Sequence, residues 1–446
     1  MEMNQKQVVQ LAPTSSKMPG PFKGFISSPQ IIANFAVALL VVSVTFRMNR
    51  GTRYFDERGY LEIGRGLLQG RYQLSGVPTA YRPPSWPLVI AGARALGISE
   101  AALFIVPPAL LIIASILAGY IGNKLGGSMA GVIASVMVGL YPLNLYTATT
   151  LYPQSLALAC VLALWAMYLS VATDPDKVKV AGRVVFAGLL AGLLALAVPT
   201  LALTAVVFVS AISLVLCRRR RFLQAGLGVV ASGIPIGIWS LRNLLTFGEP
   251  IPLSTSTGIN LLLGNNPLAT ASSGLAVDIG EAKAVASAMR MNEIERNHYF
   301  GQIAIDWVRE NPAEATTLYL AKMLNYFSPY NSPVSDSGVD APQSIQFWVA
   351  AGCGGIIISF VVVRLACAKK LEIKSAEWLA IVVFFMNAPV MAVFFTRTRF
   401  RQPLDSLLIV EAAIGISIVL TMSVCYVRNQ RRNQQTVYRA RLDGDD

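Results

Sequence analysis

The sequence contains little charge, a single histidine and few cysteines, and these shortages exclude several classes of protein. Charged residues make up 14% of the 446 residues, against roughly 25% in soluble domains. The five cysteines lie in or at the ends of apolar segments without CxxC spacing, so neither a disulfide framework nor a zinc site is indicated. No GxxxxGKS or GxxxxGKT loop occurs, which excludes the common phosphate-binding loop of nucleotide hydrolases.

Apolar residues, in contrast, are abundant, at 54% of the chain. They form runs that approach or exceed the roughly 20 residues that a bilayer-spanning helix needs. We therefore predict an all-α polytopic membrane protein with about ten transmembrane helices and two larger extracytoplasmic loops. The predicted spans are 29–48, 103–123, 127–145, 152–171, 181–198, 199–216, 222–241, 344–367, 374–396 and 402–426.

The net charge of +13 is carried by clusters just outside the apolar runs, for example Arg218–Arg221 and Lys369–Lys370. Basic residues are enriched in cytoplasmic loops of membrane proteins, and this placement does not match the basic patch of a nucleic-acid-binding protein. Five regions are predicted on this basis. They are a cytoplasmic tail (1–28), an N-terminal transmembrane catalytic module (29–241) that includes the first outside loop (49–102), an extracytoplasmic loop (242–343), C-terminal transmembrane helices (344–426) and a basic cytoplasmic tail (427–446).

Several arginines of the first outside loop contradict the usual charge bias, because they lie on the predicted outer side of the membrane. An anionic ligand would explain basic residues in this loop. The residues are Arg47, Arg50, Arg53, Arg58, Arg65 and Arg71.

Two adjacent carboxylates, Asp56 and Glu57, follow the first apolar run within about ten residues. One interpretation is structural: Asp56 caps the predicted helix 56–69, and Glu57 favours the positive end of that helix. The other is a general base at the membrane surface. The sequence leaves both open. An apolar face of the same helix is predicted to lie flat on the membrane, formed by Tyr60, Ile63 and Leu67.

Further arginines occur at the predicted outer interface. Arg82 stands in the stiff segment RPPSWP and could be a bidentate partner for a phosphate or part of a turn beside a partly buried helix. Arg397, Arg399 and Arg401 lie in TRTRFRQPLD, between two apolar runs. They could be interface anchors or a site for an anionic lipid headgroup.

Four segments together resemble the GT-C superfold of polyprenyl-phosphate-sugar-dependent glycosyltransferases, which includes the protein O-mannosyltransferases and the lipid A aminoarabinose transferase. The segments are FDERGYLEIGRGLLQGRY, YRPPSWPL, WSLRNLLTFGEPIPLSTSTGINLLLGNNP and RTRFRQPLD. With the order of the helices, the similarity covers most of the chain.

The resemblance implies a role for each matching residue. Asp56 falls at the catalytic aspartate of the first loop, and Glu57 beside it matches the Asp-Glu pair of some members. Arg399 and Arg401 match a basic segment that faces the donor phosphate, with Arg82 and Arg242 as further phosphate contacts. The implied reaction is an inverting displacement in which Asp56 is the base.

The resemblance also implies the partners: a sugar on a polyprenyl phosphate, an extracytoplasmic glycan, lipid or protein as acceptor, and the lipids of the plasma membrane, with the active site on the outer side. Two departures from the family pattern are present. Gln154 stands where members often carry an acid in the second outside loop, and Val198-Pro199 replaces a frequent Arg-Pro. No cofactor is implied with certainty, and a divalent cation stays open.

Two other functions remain as alternatives. A transporter or flippase of lipid-linked saccharides would need ionisable residues deep in several spans, whereas the charges of this sequence concentrate in the outside loops. The second alternative is a non-catalytic scaffold of envelope assembly. It stays open because Gln154 stands where an acid is often found.

Overall fold

The computed structural model describes residues 28–49, 51–173, 177–330, 343–369 and 371–442. The predicted tail 1–28 therefore lies outside the described residues except for Ser28, and so do Arg50, Lys370 and the last four residues of the predicted C-terminal tail.

Helices make up most of the described chain. A single two-stranded antiparallel hairpin, β1 (Gln73–Leu74) with β2 (Val77–Pro78), is the only sheet in the described residues. The helices are α1 (Ser28–Met48), α2 (Phe55–Leu67), α3 (Ser85–Ala95), α4 (Val106–Leu140), α5 (Pro142–Thr147), α6 (Gln154–Thr173), α7 (Lys177–Ala195), α8 (Ala202–Arg218), α9 (Phe222–Phe247), α10 (Thr257–Gly264), α11 (Gly280–Ala288), α12 (Glu293–Glu310), α13 (Pro312–Asn325), α14 (Gln343–Ala366), α15 (Ser375–Val393) and α16 (Thr398–Leu442).

Eight helices of the described residues are long and apolar enough to cross a membrane, so the prediction of an all-α polytopic membrane protein is confirmed. One of them, α4, contains Gly127 with φ +86°. At that residue the helix doubles back, and contacts between its two arms show this. Ser115 Oγ donates to the Ser135 carbonyl oxygen at 2.9 Å, and Gly119 lies against Gly131. The two arms correspond to the predicted spans 103–123 and 127–145. The number of crossings stays a prediction, since α7 contributes only the shorter apolar helix Val180–Ala195.

Small residues let two helices of the bundle approach closely. A Cβ added to Gly188 of α7 would lie 2.3 Å from the Gly228 carbonyl oxygen of α9, and one added to Gly192 would lie 2.5 Å from the Ser232 carbonyl oxygen. Such backbone-to-backbone contact is typical of membrane helices, which gain little from apolar burial against each other.

The bundle has two chemically different ends. At one end, basic residues bind the ends of helices: Lys374 Nζ donates to the Lys124 and Leu125 carbonyl oxygens, and Arg219 donates to the Val171 carbonyl oxygen. The opposite end carries α2, α3 and the shorter helices α10–α13. The charge bias of membrane proteins predicts that the first end is the cytoplasmic one.

The two loops predicted to be outside, 49–102 and 242–343, are joined through Glu293 at the start of α12. One carboxylate oxygen accepts from the Ala80 N–H at 2.7 Å and the Thr255 hydroxyl at 2.6 Å, and the other accepts from the Thr79 hydroxyl at 2.7 Å. In addition, the Thr255 N–H donates to the Ala80 carbonyl oxygen at 3.1 Å. These bonds fix the segment that leads to Arg82.

Candidate active site

Helix α2 owes its start to Glu57, which is fully buried. Its Oε2 accepts from the backbone N–H groups of Arg53 and Tyr54, at 2.6 and 2.8 Å. Its Oε1 accepts from the Leu151 N–H at 2.9 Å. The alternative that Asp56 caps the helix is therefore wrong, because Glu57 at the third helical position makes the capping bonds. With both oxygens bound to backbone, Glu57 positions its neighbours.

Asp56 points away from that cap, towards Arg82. Arg82 Nη2 donates to Asp56 Oδ1 at 2.9 Å, while the side chain of Arg82 is only 7% exposed and that of Asp56 is 31% exposed. The guanidinium lies over the Tyr60 ring, 4.5 Å from its centroid. Gly59 provides the space for this guanidinium, because a Cβ at that position would lie 2.9 Å from Arg82 Nε.

The apolar face predicted for α2 does not lie on the membrane. Tyr60 and Ile63 are buried, and Tyr60 belongs to a cluster with Trp86 and Ile90 of α3. The prediction of a helix lying flat on the lipid through this face is wrong. Packing against α3 instead holds the helix, and with it Asp56, in a fixed orientation.

Arg399 approaches Asp56 from the start of α16, with Nη1 at 3.8 Å from Asp56 Oδ2. Its guanidinium lies 4.6 Å from the centroid of the Tyr152 ring. Burial raises the pKa of Asp56, but the Arg82 and Arg399 guanidiniums and the hydrogen bonds of Arg82 and Tyr152 outweigh it, so this pKa lies below its usual value. The carboxylate is accordingly ionised at neutral pH.

Asp56 and Arg399 line one cavity of about 550 Å³. Its polar end also contains Arg53 and Arg397, and Gln154 at the start of α6 lines it as well. One face of α14 forms an apolar wall. That wall is contributed by Ile345, Val349 and Cys353, which are spaced four residues apart. The cavity therefore combines a cationic end, one carboxylate and an apolar side.

Two of these arginines, Arg53 and Arg397, are not among the residues that the family resemblance assigned to the donor phosphate. Arg53 donates to the Thr149 carbonyl oxygen and hydroxyl, at 3.1 and 2.7 Å. The pKa of Arg397 is lowered by burial and by the charge of Arg399, which a bound anion would relieve. The sequence had drawn attention to both residues. Arg53 is one of the arginines that contradict the charge bias, and Arg397 belongs to the segment TRTRFRQPLD. No pattern in the sequence had indicated a site role for Tyr152.

The remaining arginines proposed from the sequence lie elsewhere. Arg401 is buried, with Nε at 2.8 Å from Asp405 Oδ1, and it also donates to the carbonyl oxygens of Tyr326 and Ser328. Arg242 donates to the Thr79 and Tyr72 carbonyl oxygens, at 2.8 and 3.0 Å. Neither lines the Asp56 cavity.

The described lining of the cavity does not fit a divalent cation. Hard cations take six or more oxygen ligands, usually with several carboxylates. Among the described residues that line the cavity, Asp56 is the one carboxylate; it faces two guanidiniums, and Gln154 offers only an amide. Within the described residues, no group of three histidine, cysteine or acidic side chains could hold a metal.

Solved structures share this architecture. The apo form of the Archaeoglobus fulgidus oligosaccharyltransferase matches with a TM-score of 0.54 and 12% identity, over 90% of this chain and 52% of that one. The chain has the GT-C fold. At this identity the likeness shows the fold and not the activity, and the chain spans about half the length of the archaeal enzyme.

A second GT-C structure, ArnT from Cupriavidus metallidurans bound to undecaprenyl phosphate, matches over 88% of this chain and 78% of that one, with 16% identity. Its TM-score is 0.46. No protein-family model matches the sequence, and no curated protein matches it significantly.

Proposed function

We propose that this GT-C chain is a membrane glycosyltransferase that moves a sugar from a polyprenyl-phosphate donor to an extracytoplasmic acceptor. The observation that carries the proposal is the position of Asp56, a partly exposed carboxylate at the cationic end of a cavity whose other side is apolar. A lipid-linked sugar phosphate has the same two parts, an anionic head and an apolar tail.

The donor phosphate would bind Arg399, together with Arg53 and Arg397, because all three guanidiniums line the polar end of the cavity. Guanidiniums bind phosphate through paired hydrogen bonds. The isoprenoid chain would follow the face of α14 that contains Val349. Two arginines that the sequence suggested as phosphate contacts are left out of this arrangement. Arg82 is paired with Asp56, and Arg401 is paired with Asp405.

The reaction proposed is a single displacement at the anomeric carbon. The acceptor oxygen or nitrogen forms the new bond to this carbon as the bond to the phosphate oxygen breaks. The acceptor proton passes to the ionised Asp56, and the leaving polyprenyl phosphate keeps the electron pair, with its charge stabilised by Arg399. Attack from the face opposite the leaving group inverts the configuration.

Two further residues would position Asp56. Arg82 holds its Oδ1, and Glu57 ties the first turn of α2 to the Leu151 N–H. Glu57 is therefore assigned to positioning rather than to proton transfer. It brings Asp56 and Tyr152 together, because Leu151 is the residue before Tyr152.

The replacement Asp56→Asn tests this function. It removes the proton acceptor with little change in size, so turnover should fall by about 10²-fold or more. The assay measures transfer of a labelled sugar from a polyprenyl-phosphate donor to a membrane extract, with thermal melting of the purified protein alongside. Asp306→Asn on the exposed part of α12 is the matched control and should retain activity. Full activity of Asp56→Asn would reject Asp56 as the base.

A flippase of lipid-linked saccharides is the competing function. It predicts translocation of a labelled lipid-linked sugar across proteoliposomes without formation of a new glycosidic bond. Some ionisable side chains are buried in the bundle, for example Arg364 with Glu377 at 2.7 Å. This pair lies at helix ends of the basic side: Arg364 is near the end of α14, whereas the residues of α14 that line the Asp56 cavity are in its first half.

A further inference from the structure

A second cavity of about 850 Å³ lies between α7, α9 and the segment that joins α2 to α3. None of the residues that line it lines the Asp56 cavity. The size falls within the range of ordinary small-molecule sites, about 300–1,000 Å³. The proposed reaction makes no use of this cavity.

The walls of the second cavity are apolar and continuous with the outer surface of the bundle. Leu189 and Leu193 of α7 face Ile234 and Ile238 of α9 across it. Ile238 is 66% exposed and Ile234 is 46% exposed. Because α9 is apolar and long enough to span a membrane, these side chains would be in contact with lipid chains.

One end of the second cavity is basic. Arg242 and Arg71 line it, together with Gln73 of β1. Arg242 stacks near Tyr72 and Trp239, at 5.1 and 5.3 Å from the ring centroids. Its hydrogen bonds go to two backbone carbonyl oxygens and to Asn243 Oδ1.

Within the described residues, no carboxylate bonds directly to Arg242; the negative charge of Glu293 acts on it from a distance. A fixed guanidinium at the membrane interface that lacks a carboxylate partner attracts an anion. Arg71 adds a second, exposed positive charge at the same end.

We propose that this cavity binds a membrane phospholipid with an anionic headgroup. The phosphate would lie at Arg242 and Arg71, and the acyl chains along Leu193 and Ile238. Anionic lipids are attracted to basic groups at the interface, whereas a neutral headgroup brings no net negative charge to Arg242 and Arg71. The site is separate from the proposed donor cavity.

The occupied site would also support the active site. Arg242 binds the Tyr72 carbonyl oxygen, and the Tyr72 hydroxyl donates to the Arg82 carbonyl oxygen at 2.7 Å. Arg82 in turn holds Asp56. A phospholipid at Arg242 would therefore stabilise the segment that positions Asp56.

Native mass spectrometry of the purified full chain tests the site, with phosphatidylglycerol as the anionic probe and phosphatidylcholine as the neutral one. Phosphatidylglycerol should bind the wild-type protein more tightly. Arg71→Gln should weaken its binding roughly fivefold, the effect of one basic residue near a membrane surface. Ile238→Trp should block it by filling the cavity. The matched controls, Arg58→Gln on exposed α2 surface and Leu241→Trp on exposed α9 surface, should bind as the wild type does.

Equal binding of the two phospholipids, or unchanged binding in Ile238→Trp, would overturn the proposal. So would displacement of phosphatidylglycerol from the wild type by a polyprenyl phosphate at equal concentration, which would assign the cavity to the isoprenoid lipid. The readout is binding, so it does not depend on sugar transfer. Failure of the proposed enzyme function would leave this result unchanged.

Discussion

Asp56 and Glu57 are neighbours in the sequence but have different environments. Asp56 is partly exposed and faces Arg82 and Arg399, whereas Glu57 is buried under three backbone N–H groups. The turn of α2 separates their side chains by about 100°, which places one towards the cavity and one towards the backbone. Arg399 and Arg401, two residues apart on α16, differ in the same way: Arg399 faces Asp56 in the cavity, and Arg401 is buried against Asp405.

The arginine pair gives the first residue-scale prediction. Arg399→Gln should weaken use of the polyprenyl-phosphate donor about 10- to 100-fold, since a charged hydrogen bond contributes roughly 1.5–3 kcal/mol, while the melting temperature stays near that of the wild type. Arg399→Lys should recover only part of the loss, because a lysine lacks the paired geometry of a guanidinium. Initial rates at varied donor concentration and thermal melts supply the two measurements.

Arg401→Gln should have the opposite profile. Loss of Arg401 leaves Asp405 buried without its partner at 2.8 Å, and breaking such a pair costs roughly 3–5 kcal/mol. The protein should therefore melt at a lower temperature. Equal effects of the two variants on donor use, with both proteins folded, would contradict the separation of their roles.

At the scale of elements, α14 is the helix that gives the cavity its apolar side. Its residues Ile345, Val349 and Cys353 share one face, and Val349 is 47% exposed. The cationic end comes from other elements, α16 and the segment before α2. A lipid donor would thus bridge helices that are distant in the sequence.

A larger side chain at Val349 tests whether this apolar face of α14 is the path of the isoprenoid chain. Val349→Trp should raise the donor KM for a long polyprenyl phosphate, because the indole would occupy the path of the isoprenoid chain. A short-chain donor should be affected less. Ile358→Trp, at an exposed position on the opposite face of α14, is the control. The wall would be rejected as the lipid path if both variants had the same KM as the wild type for the long donor.

At the scale of the whole molecule, the candidate site and the basic helix ends lie at opposite ends of the bundle. Lys374 with Lys124, and Arg219 with Val171, mark the basic end. The site end contains Asp56 and the helices of the loop 242–343. The charge bias of membrane proteins predicts that the basic end is cytoplasmic and that the site is on the outer side.

Labelling of single cysteines tests this orientation, in a variant whose five native cysteines are replaced. Ser272→Cys in the outer loop should react with an impermeant thiol reagent in intact cells, because Ser272 is exposed at the site end. Thr173→Cys, exposed at the other end of α6, should react only after lysis. The reverse pattern would place the candidate site in the cytoplasm. Ser337, a second position in the same loop, lies outside the described residues.

The sequence by itself determined the all-α membrane class and the positions of most helices, and it singled out Asp56 as a candidate whose role stays a prediction. Hydropathy is sufficient for the helices, because every backbone polar group inside a bilayer must be paired within a helix. Local chemistry also located α2, since the predicted 56–69 lies close to the observed Phe55–Leu67.

Only the tertiary structure decided what each charged side chain does. The sequence grouped Arg82, Arg242, Arg399 and Arg401 as phosphate contacts, but in the fold Arg82 holds Asp56, Arg401 pairs with Asp405, and Arg242 lines a separate cavity. Sequence spacing does not fix the direction of a side chain relative to residues hundreds of positions away. That direction depends on how the helices pack, and packing alone brings α2, α14 and α16 around one cavity.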